Sequence, residues 1–86
     1  MQYRVLWAPH AEVVFERLAA ASSDPGALAA AAREVDQQLF AAPYDFGESR
    51  YGAMRIGFVD PLGIQFEVMD DVRTVIVHDD WRIDRK

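Results

Sequence analysis

The fold is decided by residues 54–68, which read MRIGFVDPLGIQFEV. Apolar side chains occupy every second position on both sides of the tetrapeptide Asp-Pro-Leu-Gly at positions 60–63. The two alternating sets are Met54, Ile56, Phe58 and Ile64, Phe66, Val68. A period of two is the pattern of a strand that buries one face, and Pro and Gly favour the turn between two such strands. The segment therefore predicts two neighbouring antiparallel strands.

The flanking segments extend this pattern in both directions. On the C-terminal side, Asp70-Asp71 indicates a second turn, and residues 74–78, TVIVH, indicate a third strand. Residues 79–86 then form an acidic and afterwards basic tail. On the N-terminal side, residues 44–52, YDFGESRYG, predict a loop whose aromatic side chains we expect to cover the sheet.

The N-terminal half predicts one strand and two helices. Residues 3–7, YRVLW, alternate as a short strand does. Pro9 suits the first turn of a helix over residues 9–21, and Asp24 suits the cap of a second helix that ends before Pro43. Because the link between the helices is short, we expect them to pack as a hairpin. The predicted class is α+β, in the order β-α-α-β-β-β, with the two-helix hairpin on one face of a small, mainly antiparallel sheet.

Composition bounds both the architecture and the function. The 86 residues, 51% apolar and 27% charged, predict a single domain over 1–86. The net charge of −5 disfavours binding to nucleic acid through bulk electrostatics. The absence of cysteine excludes disulfides, thiolate metal sites and cysteine nucleophiles. No apolar run of about 18 residues and no secretory start are found, so we expect no membrane partner and a cytoplasmic location.

Few residues suggest catalytic chemistry. A metal site could use His78 with Asp79 and Asp80, but neighbouring residues of a strand point to opposite faces, so we predict neither a metal nor a cofactor. The arginines are more informative, because guanidinium groups bind phosphate and carboxylate bidentately. If the sheet curls, Arg50, Arg55 and Arg82 gather on its uncovered side. The alternative is that each pairs with a nearby acid.

With this order of elements, the chain resembles the RelE/ParE superfamily of toxins from type II toxin–antitoxin pairs. The resemblance spans nearly the whole chain and is that of a divergent branch. It is carried by YRVLW at 3–7, GESR at 47–50, the run 54–68, TVIV at 74–77 and Trp81-Arg82. It implies a cognate antitoxin that wraps the toxin with an extended segment and a helix.

The resemblance implies two different activities. RelE-like toxins enter the ribosome and cleave mRNA with the help of cationic residues, whereas ParE-like toxins poison DNA gyrase. The family's central-strand arginine falls near Gly63 here, and no terminal tyrosine follows Arg82. The catalytic candidates that carry over are Arg50, Arg55 and Arg82, with His78 available for general acid–base work.

We therefore predict a toxin that acts on a macromolecular target, translation or gyrase, and is neutralised by an antitoxin. A non-nucleolytic action, gyrase-like or lost, is favoured over ribosome-dependent cleavage; an active enzyme would be an mRNA interferase. The alternatives are a small enzyme of another class, a catalytically degenerate toxin-fold protein, and a homodimeric binding or assembly module. Such a dimer would form by strand addition at an edge that exposes Val75 and Val77.

Overall fold

The computed structural model describes residues 2–83 and contains two helices and five strands. The elements are β1 (Arg4–Trp7), α1 (Pro9–Ala21), α2 (Pro25–Ala41), β2 (Glu48–Tyr51), β3 (Met54–Val59), β4 (Leu62–Met69) and β5 (Thr74–Arg82), with short 3₁₀ turns at Pro43–Asp45 and Asp70–Val72. The predicted α+β class, with a helical hairpin on one face of the sheet, is confirmed. Neither helix in this part of the chain is long and apolar enough to cross a membrane.

The five strands form one mixed sheet in the order β1-β5-β4-β3-β2. β1 runs parallel to β5, and the other neighbouring pairs are antiparallel. The edges are therefore β1 and β2, and the expectation that Val75 and Val77 lie on an exposed edge is wrong. Both residues are fully buried, because the helical hairpin carries the chain across and β1 covers that side of β5.

The helices begin where the sequence indicates and cover one face of the sheet. Pro9 occupies the first turn of α1, and the Asp24 carboxylate accepts a hydrogen bond from the backbone N–H of Ala27 at 3.1 Å. The helical stripe of α2 packs on the alternating apolar residues of the central strands. The fully buried members of this core are Ala11, Leu28, Val35, Leu39, Leu62, Ile64, Phe66, Val75 and Val77.

The strands differ from the prediction in three ways. Residues 44–52 contain β2, which the sequence did not indicate because all four of its residues are exposed. The turn before β4 is shorter than predicted, since Leu62 already pairs with Val59. β5 continues to Arg82, so His78 lies within the strand and not at its end.

Candidate functional site

The register of the strands decides which side chains reach the face that the helices leave uncovered. In β4, Phe66 and Leu62 are fully buried on the helix side. Their register partners, Arg55 and Arg82, belong to the same side. The residues between them alternate to the opposite face. We name this opposite face of β3, β4 and β5 the uncovered face; it comprises Met54, Ile56, Phe58, Gly63, Gln65, Glu67, Met69, Thr74, Ile76, His78, Asp79 and Trp81.

An aromatic pair marks one end of the uncovered face. Phe58 is 54% exposed, and its ring meets the Trp81 ring edge-to-face with centroids 6.2 Å apart. Gly63 lies directly beneath, because a Cβ there would stand 2.5 Å from the Trp81 indole. The glycine is therefore explained by this close approach within β4, and not by the turn that the sequence suggested.

Arg55 is held on the helix side by backbone carbonyls. Its Nη2 donates to the carbonyl oxygens of Tyr44 at 3.1 Å and Gly47 at 3.2 Å, and its guanidinium lies 5.5 Å from the centroid of the Tyr44 ring. These contacts tie β3 to the segment before β2. Arg55 is therefore held by backbone carbonyl oxygens, and not by a nearby acidic side chain.

Arg50 and Arg82 lie on different strands from Arg55 and from each other. Arg50 sits at the irregular register of the edge strand β2, and Arg82 is the last residue of β5. The strands β3 and β4 stand between them, which separates the two by at least roughly 14 Å across the sheet at about 4.8 Å per strand. Both are exposed, and within residues 2–83 neither side chain has a hydrogen bond or ion pair. The expectation that the three guanidiniums gather on the uncovered side is wrong, because Arg55 and Arg82 take the helix side.

His78 does face the uncovered side, where it contacts a carboxylate. Its Nε2 lies 3.0 Å from Oε1 of Glu67, with both side chains about one-third exposed. The contact depends on a bulge, since Gln65 pairs with Asp79 while Phe66 pairs with Val77, which leaves His78 between the two pairs. The sequence carries no pattern that places such a bulge.

The neighbours of His78 are engaged elsewhere. Asp79 lies 3.3 Å from Nε2 of His10 on α1. Asp80 turns into the core beside Ile64 and is 3% exposed. Among the described residues, no group of three or more His, Asp or Glu side chains is placed to hold a metal ion.

Asp80 is a buried carboxylate without a hydrogen-bond partner on either oxygen among residues 2–83. Burial disfavours its charged form, and the neighbouring charge of Asp79 adds to this, so its pKa rises to about 6. The His10 imidazole acts weakly in the opposite direction.

Asp70, in the connection between β4 and β5, has the opposite surroundings to Asp80. Its two carboxylate oxygens accept hydrogen bonds from the hydroxyls of Tyr3 at 2.6 Å and Tyr44 at 2.5 Å. These bonds lower the pKa of Asp70 and raise the pKa of both tyrosines, while the guanidinium of Arg73 lies 4.2 Å from the centroid of the Tyr3 ring. The cluster ties three distant parts of the chain together, and no local sequence pattern indicates it.

Two solved structures are similar to this chain in fold. The toxin–antitoxin complex RelBE2 from Mycobacterium tuberculosis contains a chain that superimposes with a TM-score of 0.80 at 16% identity, over 95% of this chain and 92% of that one. The isolated E. coli RelE toxin superimposes with a TM-score of 0.67 at 13% identity, over 98% of this chain and 87% of that one. The chain has the fold of the RelE toxins. No protein-family model matches its sequence, and no curated protein matches it either.

The uncovered face has few of the cationic groups that bind nucleic acid. The position near Gly63, where the resemblance expects an arginine, lies under the indole of Trp81. Between β3 and β5 the described residues of this face include no Arg or Lys. The ionisable groups present are the carboxylates of Glu67 and Asp79 and the imidazole of His78.

Proposed function

We propose that this chain is the toxin of a type II toxin–antitoxin pair, that it acts on a protein target such as gyrase and not by cleaving RNA, and that a cognate antitoxin neutralises it. Support for the first part comes from the shared fold, since one similar chain belongs to a toxin–antitoxin complex. The choice of a protein target over RNA cleavage is supported by the chemistry of the uncovered face.

One observation carries the choice of target: the uncovered face exposes the aromatic pair Phe58 and Trp81 and has no guanidinium between β3 and β5 among residues 2–83. Arg4 of β1, in register with Thr74, lies at the far border of this face. Proteins that bind nucleic acid obtain most of their affinity by neutralising phosphates with Lys and Arg. A face built from Ile56, Phe58 and Trp81 instead resembles the aromatic centre of a protein interface. The net charge of −5 acts in the same direction.

The proposal is tested by adding a charge to each side of the molecule. On induced expression in bacteria, we expect the wild-type chain to arrest growth and Phe58→Glu to abolish the arrest. Val13→Glu is the matched control, because Val13 is 46% exposed on α1 and away from the uncovered face. If Phe58→Glu arrests growth as strongly as Val13→Glu does, the uncovered face is not the site of action.

A second function is favoured by the contact between His78 and Glu67. A histidine paired with a carboxylate, 3.0 Å apart, can serve as a general base or acid on the 2′-hydroxyl of RNA. In a ribosome-dependent mRNA endonuclease of this kind, Arg50 would supply positive charge from the edge strand β2, whereas Arg55 and Arg82 lie on the helix side, away from His78. This candidate requires that growth arrest depend on His78, be accompanied by cleavage of transcripts at codons, and weaken in Arg50→Ala.

A further inference from the structure

The side of the molecule formed by α1, α2 and β1 carries a second surface, separate from the uncovered face. A cleft of about 190 Å³ opens between the two helices and the end of β1. It is lined by Trp7, Glu12, Phe15, Glu16, Ala32 and Asp36. Pockets for small-molecule ligands usually measure about 300–1,000 Å³. The cleft therefore suits the end of one long side chain better than a whole cofactor.

The floor of this cleft is aromatic and fixed in place. The rings of Trp7 and Phe15 meet edge-to-face, 6.0 Å apart at 70°. The indole N–H of Trp7 donates to Oδ1 of Asp36 at 2.7 Å, which ties β1 to α2. Among aromatic side chains, an indole gives the strongest attraction for a cation placed over its face.

The rim of the cleft is acidic, and no Arg, Lys or His among residues 2–83 lines it. Glu12 and Glu16 stand one turn apart on α1, and Asp36 faces the cleft from α2. Within residues 2–83, the side chains of Glu12 and Glu16 make no hydrogen bond or ion pair, and that of Asp36 contacts Trp7 alone. Like charges around an apolar floor favour a ligand that brings positive charge.

A groove of about 450 Å³ continues the cleft along β1 and shares Asp36 with it. Phe40, 46% exposed, forms part of its wall. β1 is an edge strand, and the N–H groups of Arg4 and Ala8 donate to the carbonyl oxygens of Arg73, just before β5, and Val77 in β5. Arg4 also lines the groove. Because backbone groups alternate along a strand, those of Val5 and Trp7 point to the free edge. An extended chain can therefore lie in this groove and pair with β1.

We propose that the cleft and groove together bind an extended segment of a partner protein that carries an arginine. The guanidinium lies against Trp7 and pairs with the carboxylates of Glu12, Glu16 and Asp36. Arginine fits better than lysine, because its planar group stacks on an aromatic ring and binds carboxylates bidentately. That the partner is the antitoxin rests on the proposed function. That the cleft binds an arginine rests on its own residues and is independent of the proposed function.

The test uses a synthetic probe, the peptide acetyl-Thr-Val-Thr-Arg-Val-Thr-Val-amide, added to the ¹⁵N-labelled full chain. The chain has two tryptophans, so its spectrum contains two indole N–H signals, which Trp81→Phe assigns. We expect the signal of Trp7 to shift saturably while that of Trp81 stays constant. A peptide with citrulline, the neutral isostere of arginine, should bind at least tenfold more weakly.

Charge-removing variants locate the site. Glu12→Gln combined with Glu16→Gln should weaken binding at least tenfold. Glu48→Gln, on the exposed strand β2 at the opposite edge of the sheet, should leave it unchanged. Any of three results would contradict an arginine site in the cleft. These are equal binding of the citrulline peptide, equal shifts of both indole signals, and equal weakening of binding by Glu48→Gln. Growth arrest without peptide binding contradicts only the cleft, and peptide binding without arrest contradicts only the proposed function.

Discussion

The two faces of β4 show how one strand serves two purposes. Its helix-side residues, Leu62, Ile64 and Phe66, are fully buried. The residues between them face the uncovered side, where Gln65 and Glu67 remain partly exposed. The first face supplies the apolar burial that holds the fold, whereas the second contributes little burial and is available for recognition. Substitutions on the two faces should therefore separate stability from activity.

The largest effect is expected on the helix side. Phe66 is fully buried against Phe46, with ring centroids 5.8 Å apart. Phe66→Ala removes this burial and leaves a cavity, which should lower the free energy of unfolding by about 3–5 kcal/mol. Urea denaturation followed by circular dichroism measures the change. A loss below about 1 kcal/mol would show that the core does not depend on this face of β4.

Asp80 gives the helix side a dependence on pH. The pKa of this carboxyl is about 6 in the folded chain, against an ordinary value of 3.8. The protonated Asp80 carboxyl therefore contributes to the free energy of unfolding, and this contribution is complete below about pH 4. It is lost as pH rises through 6, because the carboxyl ionises less readily in the folded state than in the unfolded state. At about 1.4 kcal/mol per pKa unit, the loss amounts to at most about 3 kcal/mol.

Asp80→Asn isolates this contribution, since asparagine does not titrate. The variant should gain stability relative to the wild type as pH rises from 4 to 7, when unfolding is measured in urea at unit steps of pH. Asp70, whose pKa is lowered, loses stabilisation as pH falls and affects both proteins equally. A constant difference between the two proteins across this range would contradict the buried, unpartnered carboxylate.

Gly63 connects the two faces. A methyl group at this position would stand 2.5 Å from the indole of Trp81, so Gly63→Ala must displace that ring. Overpacking of this kind costs about 1–2 kcal/mol, and the aromatic pair with Phe58 should be lost. Thermal unfolding reports the cost, and the indole signal of Trp81 reports the displacement. An unchanged Trp81 signal would show that the ring does not depend on the glycine.

The smallest effect on stability is expected at Phe58. Its ring is 54% exposed, so Phe58→Ala should lower the free energy of unfolding by less than about 1 kcal/mol. Growth arrest on induced expression should nevertheless be reduced strongly. Near-normal stability with lost activity would identify Phe58 as a recognition residue and not a core residue. If the variant still arrests growth, Phe58 has no role in recognition.

The features that the sequence predicts are those encoded by local periodicity. The alternation in residues 54–68, the stripe of α2 and the Asp24 cap all act within a few residues of one another. The features that it misses depend on long-range pairing. The exposed strand β2, the bulge at His78 and the parallel neighbour of β5 are set by register between segments that periodicity does not connect.

The candidate site was predicted less well for the same reason. Arg55 was identified as a candidate, but its side of the sheet follows from its pairing with Phe66 and not from its own sequence. The Asp70 cluster joins side chains that are 67 and 26 residues apart, at Tyr3 and Tyr44. The exposed aromatic pair of the uncovered face, Phe58 on β3 and Trp81 on β5, emerges only when three strands are placed side by side.

The most direct test of the account is induced expression of the wild-type chain with two readouts, a DNA-damage reporter and mapping of transcript 5′ ends. The account predicts growth arrest with an activated reporter and no new ends phased with codons. Arrest accompanied by codon-phased ends that disappear in His78→Gln would contradict it, because the uncovered face would then act on RNA.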